Sequence, residues 1–178
     1  MHYASIGYTI TQSPHESLRA DVQSHVVDDV PAKDYTETDR PLPLKHSSSV
    51  SAIVNAVFPH ADGSLKDNAV YVLECLQTPA IGAALHNGVS ATSAAEYADL
   101  DNPDRVIYVG VTRNMIRRLH EHLNAPGDDG AYFTALYRPI RVLNIGWFRS
   151  YERANRAEAI AAGLLRDRHP DDFVAYPG

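Results

Sequence analysis

The stretch Ile107-Tyr108-Val109-Gly110-Val111-Thr112-Arg113-Asn114-Met115-Ile116-Arg117-Arg118-Leu119-His120-Glu121-His122 constrains the fold more than any other part of the chain. Its branched and aromatic start reads as a short strand, Gly110-Val111-Thr112 as a tight turn, and the remainder as an amphipathic helix capped by Thr112 or Asn114. At about 100° per residue, Met115, Ile116, Leu119 and Leu123 fall within roughly 100° of one another and must face a core. Arg117 points away from that stripe. Arg118 and His122, four residues apart, lie together on its rim, where a side chain is held by packing and still meets a ligand. Tyr108 at the strand end arrives beside the same rim.

A second long helix repeats the pattern. Ser150 caps a run from Tyr151 to about Arg168, which Pro170 ends. Ala154, Ala157, Ile160, Ala161, Leu164 and Leu165 form its apolar stripe, and Glu158 stands roughly 90° from the stripe centre. A carboxylate at such a rim is either a salt-bridge partner or a metal ligand.

The remaining elements follow from local signals. Asn68–Cys75 is β-branched and aromatic, hence a strand, as are Arg105–Val109 and Arg141–Phe148. Ser49–Phe58 is a short amphipathic helix stopped by Pro59. Ile6–Ile10 reads as a strand, and Ser13-Pro14 opens a helix reaching about Val27. Residues 28–45, with Pro31, Pro41 and Pro43, read as a linker, and Asn124–Gly130 as a loop. Thr92 and Ser93 are placed to cap a short helix within the thirty-odd residues that separate the first two strands of the main domain. Three domains' worth of boundaries result: an accessory region 1–67, a main domain 68–170 with an inserted loop 76–104, and a tail 171–178 in which Asp171-Asp172 is solvated.

Charge is unevenly spread. The net charge is −6, yet residues 105–156 hold nine arginines against four acids, leaving +5 there and −11 elsewhere. A basic segment in an acidic envelope suits a local phosphate site. Thirteen arginines against three lysines, and fifteen aspartates against seven glutamates, predict adaptation to high salt, where geometry rather than bulk charge must recognise phosphate. The lone Cys75 excludes an internal disulfide. Neither a long apolar run nor a charged-then-apolar leader is seen, which predicts a soluble, cytoplasmic protein without membrane contact.

Val70-Tyr71, Tyr108-Val109-Gly110, Arg118 ten residues after Tyr108, His122 and Glu158 ten residues after Phe148 occur in the order that resembles the GIY-YIG nuclease superfamily. Thr112, Asn114, Gly130 to Thr134 and Arg138-Pro139 extend the resemblance over residues 68 to about 169. Two features depart from it: Ala69 replaces the first glycine, and Tyr71 and Tyr108 stand 37 residues apart, where the family joins its strands by a short hairpin.

The resemblance implies an α+β fold, a small three-stranded antiparallel sheet flanked by helices, here with a mainly helical N-terminal extension. It implies hydrolysis of DNA phosphodiester bonds with one divalent cation, Mg²⁺ or Mn²⁺, held by Glu158. Arg118 would offer its planar fork to phosphate oxygens. Tyr71 would be general base or relay, with Tyr108 and His122 orienting it and the attacking water. Gly110 is expected to permit the turn, and Arg113, Thr134 and Arg138 to contact the DNA backbone. The alternatives are a nucleic-acid-binding module without turnover and an interaction scaffold, the latter with a homodimer through the N-terminal region.

Overall fold

The computed structural model describes residues 49–61, 67–124 and 132–177. The strand at Ile6–Ile10, the helix from Pro14, the linker and most of the loop before Ala131 lie outside these residues. Among the described residues, the elements are α1 (Val50–Val57, continued by a 3₁₀ turn Phe58–His60), β1 (Asn68–Cys75), α2 (Ile81–His86), α3 (Ala91–Tyr97), β2 (Val106–Thr112), α4 (Met115–Asn124), α5 (Tyr132–Leu136), β3 (Pro139–Phe148), α6 (Tyr151–Arg168) and β4 (Phe173–Ala175). Ser150 caps α6 through its hydroxyl, as its position predicts, and Ser49 does the same for α1. Ser90, not Thr92 or Ser93, caps α3. At α4, Asn114 Oδ1 accepts from Arg117 N (3.0 Å), while Thr112 Oγ1 accepts from Asn114 N and shapes the turn leading into it.

One sheet, ordered β3-β1-β2-β4, organises the domain. β1 pairs antiparallel with both β2 and β3. The two inner strands are buried on both faces, which explains their nearly unbroken apolar runs. Ala69, Tyr71, Leu73, Val106 and Tyr108 face a core shared with α1, α3, α4 and α5. Val70, Val72, Ile107 and Val109 face α6. Ile53, Ala56 and Val57 of α1 enter the first of these clusters, so the packed body reaches back before residue 68.

The expected three-stranded sheet has a fourth strand. Residues 173–175, read from sequence as tail, run parallel to β2, with Val106 opposite Phe173 and Tyr108 opposite Ala175. Nor is the aspartate pair wholly solvated: Asp172, with its side chain 5% exposed, forms an ion pair with Arg105 at 2.5 Å. Backbone bonds Asp104 N to Asp171 O and Phe173 N to Arg105 O fix the same junction. Asp172→Ala would leave the Arg105 charge without this partner at the strand's entry. A loss of about 1–3 kcal/mol is expected in urea denaturation; an unchanged midpoint would mean that the pair contributes nothing to seating β4.

The insertion between β1 and β2 is packed structure. Ala84, Val89 and Ala94 are buried, Ala80 N donates to Leu136 O at 2.8 Å, and Tyr97 meets Phe133 edge-on at 5.7 Å. It leaves the sheet at the Cys75–Val106 end.

Candidate active site

The site forms at the opposite half of the β1–β2 pair. Tyr71 is centred on β1 directly across from Gly110 of β2. Its ring lies over that glycine: a Cβ at position 110 would overlap Tyr71 Cζ and Oη. Gly110 is thus not a turn residue, as the sequence suggests. It sits inside β2, without a positive φ, and is required by the close approach of the phenol.

α4 brings two partners onto that hydroxyl. Arg118 Nε donates to Tyr71 Oη (3.3 Å), and His122 Nε2 lies 2.8 Å from it. The other imidazole nitrogen, Nδ1, is 2.7 Å from Thr134 Oγ1 of α5. Tyr71 is fully buried, and desolvation first, then Tyr108, raises its pKa well above the ordinary phenol value. The phenol therefore keeps its proton at neutral pH and needs an acceptor. Arg118 is a donor only, so His122 Nε2 accepts and Nδ1–H donates to Thr134. Burial, with Arg118 nearby, lowers the His122 pKa to about 3, which keeps the imidazole neutral and able to accept. Tyr108 packs against both, its ring centroid 6.2 Å from Tyr71 and 5.3 Å from His122. Its own pKa is raised, chiefly by burial.

Glu158 reaches this cluster from α6. Its side chain is buried, 4% exposed. Desolvation raises its pKa to about 7, opposed by the Val111 backbone hydrogen bond and by Arg118. Oε1 has no hydrogen-bond partner. Its charge is felt by Tyr71 and Tyr108, and Arg118 influences all three. Tyr71, Tyr108, Arg118, His122 and Glu158, far apart in sequence, thus share one electrostatic environment.

Of this cluster, Arg118 alone reaches a solvent-facing groove of about 420 Å³, which is lined by Val111, Thr112, Arg113, Arg117, Arg118, Glu121 and Tyr151. Arg113 lies 4.5 Å over the Tyr151 ring. Glu121 bridges its neighbours, Oε2 to Arg118 Nη1 at 3.2 Å and Oε1 to Arg117 Nη1 at 3.4 Å. One carboxylate thus pairs with a single Nη of each of two arginines, contacts for which a bound oxyanion such as phosphate would compete. Glu121→Gln would remove that competitor and one negative charge. DNA affinity in EDTA should rise about three- to tenfold, with a steeper salt dependence; equal affinity would show that the bridge does not occupy the phosphate position.

Two expected DNA contacts are placed elsewhere. Thr134 is buried, 1% exposed, and serves His122 rather than the groove. Arg138 stands at the far end of the sheet, where its carbonyl accepts from Leu76 N (2.9 Å). Conversely, Arg117 and Tyr151 line the groove and were not expected there. The helical wheel puts Arg117 away from the core, and its side chain is indeed 69% exposed; from there it reaches Glu121 one turn on and so lines the groove. For Tyr151 the sequence offers only its place in the first turn after Ser150.

Among the described residues, no three His, Cys, Asp or Glu side chains cluster to enclose a metal ion. The unpartnered, buried Glu158 oxygen does fit a hard cation that is bound through one carboxylate and keeps most of its waters. Among the described residues, no helix is long and apolar enough to cross a membrane. The family model described as the GIY-YIG catalytic domain matches residues 97–169. That match contains Tyr108, Arg118, His122 and Glu158 and begins after the strand that supplies Tyr71. No curated relative and no solved structure matches the chain.

Proposed function

We infer the activity from one premise: this chain carries a GIY-YIG catalytic domain, matched over residues 97–169 and completed in space by β1. The domain points to nuclease activity in general; our reading is a metal-dependent endonuclease that hydrolyses phosphodiester bonds in DNA, selecting its substrate by structure. The observation that carries it is the buried set of Tyr71, His122 and Glu158 linked through half-buried Arg118 to an arginine-lined groove. Arg118 binds and orients the scissile phosphate, and its fixed charge stabilises the negative oxygens of the transition state. Arg113 and Arg117 hold flanking phosphates. Tyr71 Oη, donating to His122 Nε2 and accepting from Arg118, acts as the relay that orients the attacking water, with Thr134 holding the imidazole tautomer. Glu158 would hold Mg²⁺ or Mn²⁺, which would supply positive charge to the reaction when bound. The buried walls around Tyr71 and Tyr108 keep bulk water from the phenol.

Plasmid and branched DNA incubated with Mg²⁺ or Mn²⁺, at low and at multimolar salt, test this. Cutting by the unaltered protein is expected, reduced on the order of 10³-fold in Arg118→Ala. Arg118→Lys should recover little, because an ammonium cannot donate from a fork to the phosphate and to Tyr71 at once. DNA binding without cutting under all conditions would sink the hydrolase and leave a binding module. Neither binding nor cutting would leave a scaffold.

A further inference from the structure

A second cavity, of about 390 Å³, adjoins the site through Tyr108. Its wall contains Tyr97, Tyr108, Tyr132, Phe133, Phe173 and Tyr176. The chain has fifteen Phe, Trp and Tyr residues in all, so two-fifths of its rings meet here, a lining suited to a flat π-system. Phe133 stacks on Tyr108 (5.9 Å, 15°) and on Phe173 (5.8 Å, 17°), giving a run of nearly parallel faces. Tyr132 is 44% exposed, and Tyr97 and Tyr176 are half-buried, so these rings retain open surface.

The wall is fastened at both sides. Tyr137 Oη donates to Tyr97 O at 2.5 Å, fixing the end of the insertion. Arg166 donates from Nε and Nη2 to Val174 O (3.2 and 2.7 Å) and lies 5.0 Å over the Tyr176 ring. It also lines the cavity and brings a cation to its mouth. The insertion and β4, the two features that depart from a plain three-stranded hairpin sheet, both contribute walls.

We propose that this cavity takes an unstacked nucleobase from the DNA strand whose phosphate Arg118 engages, making an unpaired nucleotide beside the cut the substrate feature recognised. The proposal rests on the nuclease reading and deepens it. Stacking on tyrosine and phenylalanine tolerates any base, because each has a π-face. Extruding a base from an intact duplex costs a few kcal/mol of unstacking and unpairing, so a bulge, a branch or a single strand supplies the occupant at the lowest cost. Tyr108 is one ring from His122 and Tyr71, so the cavity and the catalytic cluster share a wall although the arginine groove is lined by other residues. Arg166 is placed to meet the phosphate of the same nucleotide.

The test uses the full chain in EDTA with duplexes carrying 2-aminopurine either paired or as a single unpaired base. The unpaired probe should bind roughly tenfold tighter than the paired one and lose fluorescence on binding, as stacking on an aromatic ring quenches it. Tyr132→Ala with Tyr176→Ala should abolish both preference and quenching while leaving affinity for the paired duplex unchanged. Phe at both positions should restore them, which a role in folding through the hydroxyls would not. Equal affinity for the two probes, or quenching that survives the alanine pair, would overturn the proposal. Cleavage in Mg²⁺, measured in parallel, separates the two readings. Cutting without quenching removes the base pocket alone, and quenching without cutting removes the hydrolase while the pocket stands.

Discussion

Glu158→Gln is expected to abolish cleavage and, in the metal-free protein, to be the more stable form at alkaline pH. The carboxylate is buried beside Val111 with Oε1 unpartnered, and its pKa is raised to about 7. In the unfolded chain an ordinary glutamate ionises near 4.5. Between those values the folded state binds the additional proton, so native stability falls as pH rises through this window and levels off above it. The cost at pH 8.5 is about 2 kcal/mol after allowance for solvent screening. Gln carries no such charge. Urea denaturation in EDTA at pH 5 and pH 8.5 should therefore show the wild type losing about 1.5 kcal/mol relative to the variant between the two conditions. Mg²⁺ at pH 8.5 should restore wild-type stability by mass action and leave Glu158→Gln unmoved. Cleavage should fall on the order of 10³-fold. Parallel pH profiles for the two proteins would contradict a destabilising buried charge. A variant that still cuts would exclude Glu158 from the chemistry.

The stability penalty and the site share a cause. An apolar or amide side chain at 158 would suit the interior better, so the carboxylate is retained at the expense of the fold. The same tension was partly visible in the linear chain. Glu158 stands at the rim of an otherwise apolar helical stripe, and Arg118 and His122 at the rim of another, because a 3.6-residue period fixes which side chains meet a core. β1, β2 and β3 were legible from their branched and aromatic residues, α1 from its apolar spacing and Pro59, and α6 from Ser150 and its apolar stripe. What periodicity does not carry is pairing between distant segments. Three residues after an aspartate pair gave no sign of β4, since its partner is Val106–Tyr108 and its anchor is Arg105, some 67 residues before Asp172. Thr134 looked like a surface contact because nothing local to it reveals His122. Arg138 matched a sequence pattern, yet its place in the sheet register puts it at the wrong end of β1. Arg117 points away from the core as its place on the wheel predicts, and what periodicity did not carry is the groove it lines beside Glu121.

Gly110→Ala is expected to be the most damaging small substitution in the domain. The added methyl would occupy space now filled by Tyr71 Cζ and Oη, and the ring has no route of escape. Tyr71 is fully buried, Tyr108 flanks it, and Arg118 and His122 hold its hydroxyl. Overpacking at such a site costs about 1–3 kcal/mol or more, because the ring or the β1–β2 pairing has to shift. Either shift breaks the bonds at Tyr71 Oη, so cleavage should fall at least 10²-fold even in protein that remains folded. The cause is specific and so is its control. Tyr71→Leu removes the atoms that would collide while keeping an apolar side chain in the core. In that background Gly110→Ala should cost no more than a few tenths of a kcal/mol, leaving a coupling energy of about 1–3 kcal/mol in the double-mutant cycle. If Gly110→Ala is equally destabilising with leucine at 71, the glycine is needed for backbone reasons and not for the phenol. If it is harmless in both backgrounds, the phenol does not lie over β2 as described, and the hydrogen-bonded arrangement with Arg118 and His122 falls with it. Coupling confined to this pair would tie the glycine of one strand to the tyrosine of the other by contact, explaining why a strand interior retains a residue that weakens it.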